Sequence, residues 1–163
     1  MMISAITKIN STGSFHMHAP FSIRLLEPAE MDDALDLLQH LNPDVSRIEL
    51  DRRLSTMQAE HAHYQLYGAF DGGGLRGVAG CWIGTRIWCG RYLEIDNLVI
   101  APAQRNGGAG TAMIRHFEAL ARKADCAVVL LDSYTNNHAS HRLYHRLGFE
   151  IWGFHFVKPL DGG

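Results

Sequence analysis

Three glycines fall within four positions at Gly107, Gly108 and Gly110. The apolar run Leu98-Val99-Ile100 precedes them and a long amphipathic stretch follows. Glycine removes the side chain where a backbone must bend sharply or meet a ligand closely. The first N–H groups of a helix have no intrahelical partner and lie at the positive end of its dipole. Strand, glycine loop and helix in that order make a cradle for an anion, phosphate above all. The spacing rules out two phosphate loops. A P-loop needs a lysine before Ser or Thr, and here Thr111 follows Gly110 directly. A dinucleotide fingerprint begins at Gly108-x-Gly110, but Met113 stands where its third glycine belongs. What remains is Arg105-x-x-Gly108-x-Gly110. A loop that only caps a helix is the plain alternative.

Acid–base chemistry has its own candidates. Side chains alternate along the strand 91–100, so Glu94 and Asp96 are expected on one face with Leu98 and Ile100. Carboxylates on a central strand are costly unless they reach water or a partner. A reaction site meets that need, and so does an arginine such as Arg24 or Arg86. Residues 137–147 place Ala139, Leu143 and Leu147 four apart, which predicts one helix face, with Gly148 as the stop. Tyr144 lies on this helix, and a phenol of pKa about 10 is a usable proton donor. His61-x-His63 has no carboxylate or cysteine cluster beside it, so no metal site is predicted. His138, His141 and His145 read as a solvated face, with His141 one turn before Tyr144. Trp82 and Trp88 share one face of a long strand and read as core or interface residues able to line an amine pocket.

Two motifs now combine. Arg105-x-x-Gly108-x-Gly110 follows a strand, and about 30 residues later Asn137 is followed by Tyr144 and then Gly148-Phe149. This arrangement resembles the GCN5-related N-acetyltransferases, over residues 91–152 by motif and before that by topology only. The resemblance implies acetyl-coenzyme A as co-substrate and no metal. It implies that backbone groups of Asn106, Gly107, Gly108, Ala109, Gly110 and Thr111, with Arg105, hold the pyrophosphate. Leu98, Val99 and Ile100 would pair with the pantetheine arm as it enters between splayed strands, and Asn137 would also bind the coenzyme. Tyr144 would meet the thioester sulfur as the acid. Asp96, nine residues before Arg105, matches the carboxylate of the diamine and polyamine type, with Glu94 second. Because Asp is short, a water-relayed proton is expected. The implied activity is acetyl transfer to a primary amine of a small molecule, by direct attack in a ternary complex. Two other readings are a protein or peptide N-acetyltransferase and a coenzyme-binding module without turnover. Asp96 and Tyr144 argue against the latter.

These residues need a scaffold. The 163 residues suit one domain, expected over 20–163, with 1–19 as a flexible tail rich in Ser, Thr, Asn and His. Strands are expected over 21–26, 63–70, 75–88, 91–100, 126–132 and 149–158, the last as one strand or a pair. Helices are expected over 29–41, 46–60, 110–123 and 137–147. The fold class is α/β: a mixed, mostly antiparallel central sheet of six to seven strands with helices on both faces, the topology of the resembled family. The net charge of −2 offers no basic surface for nucleic acid and no polybasic membrane patch. No run approaches the roughly 20 apolar residues of a membrane span. Cys81, Cys89 and Cys126, an odd count in apolar stretches, read as buried reduced thiols of a cytoplasmic protein. The expected assembly is a homodimer.

Overall fold

The computed structural model describes residues 21–160, so the expected 1–19 tail lies outside the described residues. The elements run β1 Ser22–Leu25, α1 Met31–Leu41, α2 Arg47–Glu60, β2 Gln65–Asp71, β3 Gly74–Arg86, β4 Gly90–Ile100, α3 Ala109–Lys123, β5 Val128–Leu131 and α4 His138–Arg146. Each lies within two residues of its expected bounds, apart from the final segment. The local chemistry is as the residues dictate. Ser46 caps α2 by accepting the Glu49 N–H at 3.2 Å. Asp71 accepts the Gly73 N–H at 2.8 Å in the β2–β3 turn, which Gly74 completes at φ 113°.

The strands lie in the order β1-β2-β3-β4-β5. The first three pairings are antiparallel, and the α3 crossover makes β4–β5 parallel. Two cores flank the sheet. Leu35, Leu38, Leu50 and Leu54 of α1 and α2 cover Leu66, Val78 and Val99 on one face. Met113, Ile114, Phe117 and Ala121 of α3 cover Ala79, Cys81, Leu93 and Ile95 on the other, where Leu143 and Leu147 of α4 also pack. Helices therefore cover both faces.

Five expectations are corrected. Among the described residues the sheet has five strands rather than six to seven. Residues 149–158 enter no strand: Phe149 folds back on α4, its N–H donating to the Tyr144 carbonyl at 3.0 Å, and the chain leaves α4 without joining the ladder. β3 ends two residues before Trp88, because Arg86 faces Gly90 and the hairpin closes there. Trp88 is thus in the turn and does not share a strand face with Trp82. Ala139 is exposed, so the apolar stripe of α4 is only Leu143 and Leu147. Of the cysteines only Cys81 is buried, its thiol pushed up to about 12 by desolvation. Cys89 lies in the β3–β4 turn and Cys126 in the lead-in to β5, both half-buried. Among the described residues no helix is long and apolar enough to cross a membrane.

Candidate active site

The glycine loop lies between β4 and α3. A short 3₁₀ turn, Pro102–Gln104, ends the strand, and residues 105–108 are exposed. Asn106 and Gly108 take left-handed backbone angles, φ 65° and 92°. Such alternation turns successive N–H groups toward one concavity. Gly108 is the N-cap of α3 and supplies no side-chain cap. The first intrahelical bond is Ala112 N–H to Gly108 C=O, 2.9 Å, which leaves the preceding N–H groups without intrahelical acceptors. Among the described residues Arg105 has no carboxylate partner. A free guanidinium beside an uncapped, open helix N-terminus suits a diphosphate.

The glycines do different jobs. A side chain at Gly108 would meet open space, so its positive φ is what requires glycine. A β-carbon at Gly110 would lie 3.3 Å from Leu143 Cδ2, so this glycine sets the close approach of α3 to α4. That contact brings the helix of Tyr144 beside the loop.

Above the loop the sheet opens. β5 pairs with β4 only over Tyr92–Ile95 against Val128–Leu131. Among the described residues nothing pairs with that edge of β4 from Asp96 to Ile100, including the backbone of Leu98, Val99 and Ile100. Just past β5, Ser133 Oγ is buried without a hydrogen-bond partner. A polar group entering this slot would satisfy it. Asn137 caps α4, its side-chain oxygen accepting the Ser140 N–H at 3.3 Å while its amide N–H₂ stays available. Tyr144 packs against the α3-side core with Leu98 and Ile100, its ring 5.9 Å from that of Phe149. Burial raises its phenol pKa, opposed by the hydroxyl of Ser140 one turn earlier.

The carboxylates stand elsewhere than simple alternation predicts. Gly80 faces Asp96 and Val78 faces Val99, so Ala79 alone opposes both Asn97 and Leu98. This is a β-bulge, with Asn97 at φ 51°. It shifts the alternation by one residue. Leu98 and Ile100 pack on the α3 side, whereas Val99 packs with Tyr64 and Trp82 on the α1–α2 side. Asp96 is on the Tyr64 and Trp82 side, not with Leu98 and Ile100. Its partner is Asn97, whose Nδ2 donates to Asp96 Oδ2 at 2.6 Å. Burial raises the Asp96 carboxyl pKa; the N–H groups of Trp82 and Asn97 oppose the shift and the charge of Asp132 adds to it. Arg24 pairs with Glu30 and Arg86 with Glu94, so neither arginine neutralises Asp96. Glu94 is also raised by burial, against Arg86. Its Oε2 is 2.8 Å from Arg86 Nη2.

Three participants escape sequence inspection. Tyr64 is buried over Gly80, where any side chain would collide with its ring, and its ring lies 4.6 Å from that of Trp82. Asp132 follows β5, adds its charge to the field at Glu94 and Asp96, and meets His155 at 2.9 Å. Asn97 holds the bulge. Asparagine, tolerant of positive φ, inside an apolar strand was its available signal. Two of the described histidines are engaged locally. His61 sets its ring edge 5.0 Å from Trp82, and His141 Nε2 meets the Tyr134 carbonyl at 3.0 Å. Among the described residues no three His, Cys, Asp or Glu side chains are grouped to hold a metal ion.

The slot between β4 and β5 thus carries a carboxyl on one side, a phenol on the other and an anion cradle at one end. Residues 31–149 match the model of the acetyltransferase (GNAT) family. A glucosamine 6-phosphate N-acetyltransferase of Trypanosoma brucei brucei is 28% identical over 131 residues, 78% of this chain and 87% of that protein. The fold is that of an aminoglycoside antibiotic 6'-N-acetyltransferase from Acinetobacter haemolyticus, with TM-score 0.69, 21% identity, and 86% and 99% of the two chains covered. It is also that of AAC(6')-Iy in complex with the bisubstrate analogue CoA-S-monomethyl-acetylneamine, with TM-score 0.73, 18% identity, and 86% and 98% covered. The chain belongs to the acetyltransferase (GNAT) family of enzymes.

Proposed function

We propose that this enzyme transfers the acetyl group of acetyl-coenzyme A to a primary amine of a small, multiply cationic molecule, by direct attack in a ternary complex. The observation that carries the reading is the edge of β4 from Asp96 to Ile100, unpaired among the described residues, which leads into the uncapped N-terminus of α3. The loop N–H groups and Arg105 hold the diphosphate, and the backbone of Leu98, Val99 and Ile100 pairs with the pantetheine amides. The thioester then lies in the slot, with Asp96 toward one face of the sheet and Tyr144 toward the other. The bound ammonium first gives a proton to Asp96, directly or through water, and the freed lone pair forms the C–N bond at the carbonyl carbon. The C–S bond breaks, Tyr144 protonates the leaving thiolate, and the nitrogen's second proton leaves to water. Free alkyl amines titrate near 10.4, so few are nucleophilic at pH 7 without a base. Burial brings the Asp96 carboxyl closer to that task.

Charge selects the acceptor. The charges of Asp96 and Asp132 raise the Glu94 carboxyl pKa and that of Asp132 raises Asp96, while Arg86 and His155 oppose the shift at Glu94. A field of that sign favours a cation and disfavours a phosphate. Diamines, polyamines and amino sugars with several amines fit it, and AAC(6')-Iy supplies an aminosugar precedent within the fold. A phosphorylated amino sugar, the acceptor in the name of the trypanosomal relative, fits it poorly. The test is thiol release from acetyl-coenzyme A against diamines, aminoglycosides, glucosamine 6-phosphate and peptides. Turnover on multiply charged amines is expected. Turnover on the phosphate or on peptides alone contradicts the acceptor assignment, and turnover on none favours a coenzyme-binding module.

A further inference from the structure

Ser133 Oγ is, among the described residues, the one side-chain polar atom buried without a hydrogen-bond partner. Buried polar groups are nearly always satisfied, because an unmade bond costs stability. Such an orphan calls for a reason, and its place in the fold supplies one. The β4–β5 ladder ends where Ile95 pairs with Leu131. Counted on in register, Ser133 is the position opposite Asn97, just inside the split between the strands. Val129 and Leu131 of β5 pack on the α3 side with Leu98, Ile100 and Tyr144. Ser133, two residues on, continues that series. Asp132 between them bears on Glu94 and Asp96, on the other side, as alternation requires.

The neighbours of Ser133 are tied down. The Tyr134 carbonyl meets His141 Nε2 of α4 at 3.0 Å and accepts the Asn137 N–H at 2.9 Å. Asp132 Oδ2 meets His155 Nδ1 at 2.9 Å. A donor held by its surroundings needs no reorganisation when charge appears beside it. A serine hydroxyl has one proton to donate. In the proposed reaction Asp96 serves the amine and Tyr144 the sulfur. The reacting atom left without a side-chain donor is the carbonyl oxygen of the thioester, which gains negative charge under attack.

We propose that the Ser133 hydroxyl is a catalytic hydrogen-bond donor to the carbonyl oxygen of the thioester. This rests on the acetyl-transfer reading above. As the C–N bond forms, the carbonyl π electrons move onto oxygen, where the Ser133 O–H stabilises them. The pair returns to the carbonyl as the C–S bond breaks. The proton stays on Oγ throughout, unlike that of Tyr144, which is given away.

The test joins kinetics to infrared spectroscopy on the full chain. The spectroscopic probe is acetyl-coenzyme A isotope-labelled at its carbonyl carbon, bound without an acceptor. A hydrogen bond lowers the carbonyl frequency, so the band should lie lower in wild type than in Ser133→Ala. With an alkyl diamine as acceptor, Ser133→Ala should lose about 10²–10³ in kcat, the usual cost of one oxyanion donor. Its calorimetric affinity for coenzyme A, which has no thioester carbonyl, should be unchanged. Its melting temperature should be unchanged or higher, since alanine leaves no orphan. Ser133→Cys, a weak donor, should fall between the two, and it carries the comparison if Ser133→Ala fails to fold. Equal bands in all three proteins overturn the proposal and leave the acetyl-transfer reading intact. A shifted band with unchanged kcat makes the contact a ground-state one and overturns the catalytic role. A matching loss of affinity for coenzyme A makes Ser133 a coenzyme contact, and a lowered melting temperature makes it structural; either overturns the proposal. A wild type that binds no acetyl-coenzyme A sinks the underlying reading and the proposal together.

Discussion

The two sides of the β4 slot are built from different materials. The proposed coenzyme side is backbone: left-handed turns at Asn106 and Gly108, an uncapped helix start and a strand edge unpaired among the described residues. The proposed acceptor side is side chain: Glu94, Asp96 and Asp132 among Tyr64, Trp82 and Arg86. The difference teaches where specificity can change. A backbone cradle has one geometry and accepts one kind of ligand, and it fails when a glycine conformation is lost. A carboxylate cluster can be retuned one residue at a time, which fits a fold whose relatives carry the names of different amine acceptors.

The comparison yields graded predictions. In the proposed reaction Tyr144 lies on the coenzyme side but acts in the chemistry. Tyr144→Phe removes its proton and keeps its ring, so kcat should fall by about 10²–10⁴ with coenzyme affinity nearly unchanged, checked by steady-state kinetics and calorimetry. Gly108→Val attacks the cradle itself. The residue sits at φ 92°, where a β-branched side chain is strained by about 1–3 kcal/mol. The loop should leave its nested shape, and coenzyme affinity should fall at least about tenfold, a loss of roughly 1.4 kcal/mol, by calorimetry. Unchanged affinity would break the idea that backbone conformation makes this side. On the other side, Glu94→Gln with Asp132→Asn should raise KM for a doubly charged amine several-fold and leave the coenzyme KM in place. An equal rise in both would erase the division.

The smallest effect concerns stability. Burial raises the folded-state pKa of Asp96, so the native state holds its proton more tightly than the unfolded state. The stabilising contribution is full below the unfolded value, about 3.9, and is lost as pH rises through the folded one. Asp96→Asn should therefore melt higher than wild type at neutral pH, with the gap closing as pH falls toward 4. Differential scanning calorimetry at two pH values checks the sign.

How legible was each side in the chain? The glycine loop is contiguous, and its glycines carry their own geometry, so the turn and the start of α3 could be read directly. The acceptor side is assembled from β2, β3, β4 and the chain after β5, and one backbone angle decides which residues meet. Nothing in strict alternation announces the bulge at Asn97, and without it Asp96 is placed on the wrong face. Residues 149–158 mislead for a different reason. Their apolar, aromatic pattern is that of a buried strand, but a strand needs a partner edge, and within the described chain Phe149 turns back onto α4 instead of onto β5. Trp88 was misplaced because its apolar neighbours extend the β3 pattern past the point where Arg86 and Gly90 close the hairpin.

The central claim is that an unneutralised carboxyl at Asp96 serves the amine across the slot from Tyr144. It is tested most directly by kcat and KM against pH for wild type and Asp96→Asn, with one alkyl diamine as acceptor. If Asp96 takes the proton, the variant should lose kcat/KM most at neutral pH and approach wild type at high pH, where the free amine is abundant. A rise in KM with an unshifted kcat profile would make Asp96 a binding group for the cation instead. Superimposable profiles for both enzymes would contradict the account and move the base to Glu94.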